Sequence, residues 1–161
     1  MLRKIGIIAV LALLVTALAA VPVLAQSGHF ITGGGNAATC TDEGTTVLCD
    51  GKVAGLGGTT FDIVASATGT ASVTCTNPAG NVAPGQSFTT TSTGSLGPTP
   101  TPRNGQFQFR NLTSAAPTAP AGSCPNPMWT ATVTDVAFTT ATLTLFEDST
   151  ISDTITVPVT T

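Results

Sequence analysis

The sequence predicts an all-β domain, an antiparallel two-sheet sandwich preceded by a cleavable signal helix. Three observations predict it. After position 26, apolar residues alternate with polar ones again and again, and no apolar stripe recurs at the helical interval. Threonine supplies 31 of the residues from 26 to 161, nearly a quarter of them. Its branched β-carbon stiffens extended backbone and its hydroxyl suits the wet face of a strand. Strong helix formers are scarce in the same stretch, with one Lys and two Glu.

The signal comes first. Arg3 and Lys4 form a positive start, and Ile5 to Ala20 is an apolar run interrupted only by Gly6 and Thr16. Pro22 ends the helix, and Val23 and Ala25 stand at −3 and −1 of a cut before Gln26. The alternative is an uncleaved anchor, since residues 5–25 are just long enough to span a bilayer. With cleavage, residues 1–25 are the signal peptide and 26–161 form one domain. No Cys follows the cut and no apolar tail closes the sequence, so no membrane attachment is expected after cleavage.

Export and an even count of four Cys favour two disulfides. Of the three possible connectivities, Cys40–Cys49 with Cys75–Cys124 is preferred. The first pair brackets a hairpin turning near Gly44, and equal arms from that turn set the two residues opposite each other. A four-Cys zinc site needs paired short spacings, which this sequence lacks.

The strands follow. Phe61, Ile63, Ala65 and Ala67 alternate with polar or small residues, and Ala71, Val73 and Cys75 form a second such run. Phe107 and Phe109 face one way, with Gln106, Gln108 and Arg110 facing the other. Ala131 and Val133 share one phase, whereas Val136 and Phe138 share the next. A one-residue bulge near Thr134-Asp135 would keep all four inward. Leu143 and Leu145 continue the pattern, then Ile155, Val157 and Val159, with Pro158 marking an edge. Turns are expected at Gly57-Gly58, residues 77–81, residues 83–86 and Asn104-Gly105. Ser95 to Pro102 reads as a polyproline-II loop and Ala115 to Pro127 as a second loop. Short strands punctuated in this way indicate a sandwich, with Cys75–Cys124 stapling the sheets and Trp129 packed beside it.

Composition excludes several function classes. Lys52, Arg103 and Arg110 face eight acids, for a net charge of −5 over residues 26–161. Three scattered bases cannot neutralise a row of phosphates, so nucleic acid is not an expected partner. There is one His, one Trp and no Tyr. His29 lies near the expected mature end, and no G-x-S-x-G occurs, so a hydrolase triad has no support. The acidic pairs Asp42-Glu43 and Glu147-Asp148 are expected in turns, solvated, which does not suit paired-carboxylate glycoside chemistry. The reading is therefore not an enzyme.

Non-catalytic binding has more to work with. Residues 146–153 carry Glu147, Asp148 and Asp153 with three hydroxyls, oxygen donors of the kind calcium takes, although the spacing lacks the D-x-D-x-D-G order. A soluble hairpin tip uses the same residues. Carbohydrate binding wants exposed rings, and the lone Trp129 is expected in the core. Asn111-Leu112-Thr113 fits a glycan acceptor, and the Thr-Pro run at 99–102 suits O-linked sugar. Phe30 and Ile31 form a short apolar strand before the hinge Gly33-Gly34-Gly35. Such a strand pairs with a neighbour's sheet edge, giving self-association, or stays within its own domain.

The segments CTNPAGNVAPGQ at 75–86, CPN at 124–126 and WTATVTDVAF at 129–138 resemble an uncharacterised family of small secreted bacterial β-sandwich proteins. The resemblance covers the middle and end of the mature chain and implies export and a sandwich, with no activity. The architecture expected is immunoglobulin-like, although the Cys, Trp, Cys order of true immunoglobulin domains is absent because Trp129 follows both Cys75 and Cys124. The function expected is a secreted structural or interaction module with an unknown protein or cell-surface partner and no cofactor. The alternative is a carbohydrate- or calcium-binding extracellular domain.

Overall fold

A computed structural model describes residues 27–161. The signal segment and its cleavage before Gln26 lie outside the described residues. The chain forms nine strands: β1 (His29–Phe30), β2 (Thr39–Asp42), β3 (Val47–Ala54), β4 (Thr60–Thr76), β5 (Val82–Pro84), β6 (Phe88–Pro100), β7 (Phe107–Thr113), β8 (Thr130–Glu147) and β9 (Thr150–Thr160). Among the described residues the only helical element is a 3-10 turn at Gly34–Asn36. No helix there is long and apolar enough to cross a membrane.

All nine strands belong to one mixed sheet that does not close into a barrel. β4 is flanked by β8 on one edge and by β6 and β5 on the other. β3 is flanked by β7 on one edge and by β2 and β1 on the other. β9 joins the two groups, antiparallel to β8 and parallel to β2 through Cys40↔Val159 and Thr41↔Thr160. That parallel pair corrects the all-antiparallel expectation: β9 leaves β8 running in the same direction as the N-terminal hairpin arm it meets. At the far edges, Ala115 N–H donates to the Thr93 carbonyl at 2.8 Å just beyond β7.

The sheet folds over so that β4 and β8 face β3 and β7. Phe61 of β4 lies 4.9 Å from Phe107 of β7, and Phe30 of β1 meets Phe109 of β7 edge-on at 6.1 Å. Ile63, Leu143, Leu145 and Val136 complete a core that is shut to solvent. Hydrophobic burial of this kind is the main stabilising term, at about 1.5–3 kcal/mol for each large apolar side chain.

The strands are longer than expected. The two runs at 61–67 and 71–75 are one strand of 17 residues, carried through Gly69. β8 runs for 18 residues because two bulges repair its phase. Ser72 faces Asp135 and Val73 faces Val133, which leaves Thr134 as the extra residue. Thr68 faces Thr140 and Gly69 faces Phe138, which leaves Thr139 as a second. The first bulge is the one predicted at Thr134-Asp135. The second returns Ala141, Leu143 and Leu145 to the core side.

Ser95 to Pro102 is not the loop expected. β6 extends to Pro100, paired with Thr60 of β4. An edge strand tolerates proline because the missing N–H can face outward. Between Leu96 and Thr99 the register shifts. There Gly97 has φ 123°, and a Cβ would fall 2.5 Å from Asp62 Oδ1, so only glycine fits. The stretch 114–129 carries no strand, as expected for residues 115–127.

Candidate functional site

Both disulfides have the expected pairing. Cys40 and Cys49 face each other across the β2–β3 ladder, with 4.2 Å between their Cα atoms. Cys75 bonds Cys124 with a Cα separation of 5.7 Å. The second does not staple sheet to sheet. It ties the 114–129 loop to the end of β4, because Cys124 lies in the loop and not on a strand.

The acidic segment is built differently from a solvated turn. Glu147 follows Leu143 and Leu145 on the core phase of β8 and is 0% exposed. Its Oε1 accepts from the N–H groups of Gly57 (2.6 Å) and Gly58 (3.1 Å). Its Oε2 accepts from Gly28 N–H at 2.9 Å and from the Ser152 hydroxyl at 2.6 Å. Burial alone would raise this carboxyl's pKa, but the bonds from Ser152, Gly57, Gly58 and Gly28 together hold it below its ordinary value. Asp148 is exposed, with its oxygens turned to Thr59 and Thr60. The Thr59 hydroxyl, then the N–H groups of Thr60 and Thr59, lower its pKa to about 2. Asp153 accepts from Phe30 N–H at 2.8 Å and Thr154 N–H at 2.8 Å.

Every carboxylate oxygen of Glu147, Asp148 and Asp153 therefore faces a backbone N–H. These three residues, the sequence's calcium candidates, are neighbours along the chain that do not turn toward one centre. Among the described residues no group of three or more His, Cys, Asp or Glu side chains is placed to hold a metal ion. The trio pins the N-terminal segment and the 57–60 turn to the β8–β9 hairpin.

Phe30 and Ile31 sit within their own domain. Phe30 pairs with Val53 and is buried, and Ile31 N–H donates to the Lys52 carbonyl at 2.8 Å. His29 is exposed, with its Nδ1 3.0 Å from the Ser27 carbonyl oxygen. Asn111 is exposed at the end of β7, and its N–H donates to Asp50 Oδ1 at 2.7 Å.

The second disulfide organises the surface around Trp129. At that end Cys75 pairs with Ala83 of β5 on one side and with Ala131 of β8 on the other. Gly85 N–H donates to the Val73 carbonyl at 2.7 Å, and Gln86 N–H donates to the Ser123 carbonyl at 2.9 Å. Gly85 must be glycine here, since a Cβ would lie 2.7 Å from Val73 Cγ1 and 2.8 Å from Cys75 Sγ. The disulfide, these bonds and the glycine press residues 122–125 onto the sheet end. Two depressions flank that strip, of about 560 Å³ on the Trp129 side and about 610 Å³ on the Gln86 side.

Trp129 is the residue whose surroundings the sequence concealed. It was expected in the core beside the disulfide. It lies near Cys124 but is half-buried, lining the first depression with Pro120, Pro125 and Pro127. Asn126 sets it in place. Its Oδ1 accepts Met128 N–H at 3.0 Å, and its carbonyl accepts Trp129 N–H at 3.2 Å. The phase 129, 131, 133 points inward, but it starts where the facing strands have ended, so nothing covers the ring fully. Met128 (71% exposed) and Val82 (66%) stand at the same end. The only warning in the sequence was the string of prolines on the N-terminal side of Trp129. No family model, curated protein or solved structure matches this chain.

Proposed function

We propose that the chain is a secreted, disulfide-bonded binding module, a two-sheet sandwich of immunoglobulin-like architecture that engages a partner at the cell exterior. It acts by surface complementarity, without covalent chemistry, as a member of the exported family its motifs resemble. Two disulfides fit an oxidising compartment. The observation that carries the reading is the half-buried Trp129 in a groove walled by a loop that Cys75–Cys124 pins to β4. Prolines and a disulfide fix that loop before any ligand arrives, so little ordering entropy opposes binding. Aromatic side chains in such rigid surroundings are the usual anchors of recognition.

The test is co-sedimentation of the purified protein with cell envelopes of the producing organism. The wild type is expected to pellet with them and Trp129→Ala to stay in solution with an unchanged circular dichroism spectrum. Equal pelleting of the two proteins refutes the groove as the binding surface.

A further inference from the structure

We infer that the ligand of the Trp129 groove is a neutral polysaccharide, laid across the Gly122–Pro125 strip. The inference rests on the binding-module reading and names its ligand class.

Four features carry it. First, the residues lining both depressions include no charged side chain, so neither an anionic nor a cationic partner finds a counter-charge there. The depression on β7 differs, being lined by Asp50 and Arg110. Second, a tryptophan ring presents a flat apolar face that matches the C–H face of a sugar ring.

Third, the rim is polar without charge and offers donors as well as acceptors: the indole N–H of Trp129 and the side-chain amides of exposed Asn126 and Gln86. Among the lining residues Pro120, Pro125 and Pro127 have no N–H. The N–H groups of Ser123, Met128 and Trp129 are spent on Pro120 and Asn126 within the loop. The carbonyls of Pro120, Ser123 and Asn126 already accept bonds from Ser123, Gln86 and Trp129 in turn. A polyhydroxylated ligand, each hydroxyl both donor and acceptor, matches such a rim. A proline-rich peptide docks in grooves lined by several aromatics, whereas this groove has a single ring. Fourth, the two depressions share Gly122, Ser123, Cys124 and Pro125 and so adjoin. Adjoining depressions suit consecutive rings of a chain better than one isolated sugar.

The experiment uses the purified exported protein and its single tryptophan as the reporter. Neutral oligosaccharides of the gluco-, xylo-, manno- and chito- series are titrated at increasing length, and the matching insoluble polymers are used for depletion. The expected result is a saturable change in fluorescence for at least one series, tightening with chain length. Depletion by the matching polymer should fall roughly tenfold or more in Trp129→Ala. Trp129→Phe should recover part of the loss, and Gln86→Ala should weaken only the longer oligomers. The guanidinium midpoint of each variant shows that it remains folded. Silence across all neutral series, or depletion that ignores the Trp129 substitution, overturns the inference. If Trp129-dependent envelope binding persists while only a proline-rich peptide or a charged polymer competes for it, the sugar assignment falls and the binding module stands.

Discussion

Replacing Glu147 tests whether a buried carboxylate holds the N-terminal segment and the 57–58 turn in place. Alanine at 147 leaves the N–H groups of Gly28, Gly57 and Gly58 without their acceptor, while the Ser152 hydroxyl can still donate to the Gly28 carbonyl at 2.8 Å. An orphaned buried donor costs about 1–3 kcal/mol. Gly28 is buried and bears the upper part of that range, whereas half-buried Gly57 and Gly58 can recruit water and bear the lower part. The total expected is about 3–5 kcal/mol, in the range for removing one partner from a buried charged network. Glutamine separates the two oxygens. Its carbonyl can replace Oε1 and keep Gly57 and Gly58, but its amide then faces the Gly28 N–H, donor against donor, for a cost of about 1–3 kcal/mol. Guanidinium unfolding with the disulfides intact measures both through the shift in midpoint at constant m. An alanine cost below about 1 kcal/mol, or a glutamine variant as unstable as the alanine one, would refute the clamp.

Other consequences can be checked alongside. The folded pKa of Glu147 lies below its ordinary 4.5, so its contribution is present above the unfolded pKa and is lost as pH falls through the folded value. Glu147→Gln should therefore flatten the fall of melting temperature below that pH. By the same sign, Asp148→Asn should remove the part of the acid-linked loss lying between 3.8 and about 2, read from melts across that window. Cys75→Ala with Cys124→Ala should cost roughly 4 kcal/mol by the loop-entropy estimate, against roughly 3 for removing Cys40–Cys49, and only the former should weaken groove binding. Phe30→Ala should cost about 3–5 kcal/mol in chemical unfolding while the protein stays monomeric in light scattering, because Phe30 fills its own core. Deleting Thr139 should unfold the domain or nearly so, since it turns Val136 and Phe138 toward water, whereas deleting Thr134 displaces only half-buried Val133 and Ala131.

Local alternation carried much of the fold into the sequence. A strand's side chains reverse face at every residue, so phase is written into adjacent positions, and the change between Val133 and Val136 marked the bulge at Thr134. The Cys40–Cys49 pair was legible for the same reason, since a hairpin turning at Gly44 sets its arms in register. The jump from Phe138 to Ala141 carries the same signal for Thr139. The prolines at 98 and 100 obscured β6, because whether proline breaks a strand depends on whether that strand lies at an edge, which is a property of the assembled sheet.

The sequence by itself determined the β class and the preferred disulfide partners, because each follows from composition or from neighbours along the chain. Only the tertiary structure decided that Glu147 is sealed from water and that Trp129 is half open to it. Their surroundings come from distant residues: Gly28 and Gly57 close over the carboxylate, and the 119–127 loop, tied to β4, forms the groove around the indole. Solvent access is a relation between segments that meet only in the folded chain.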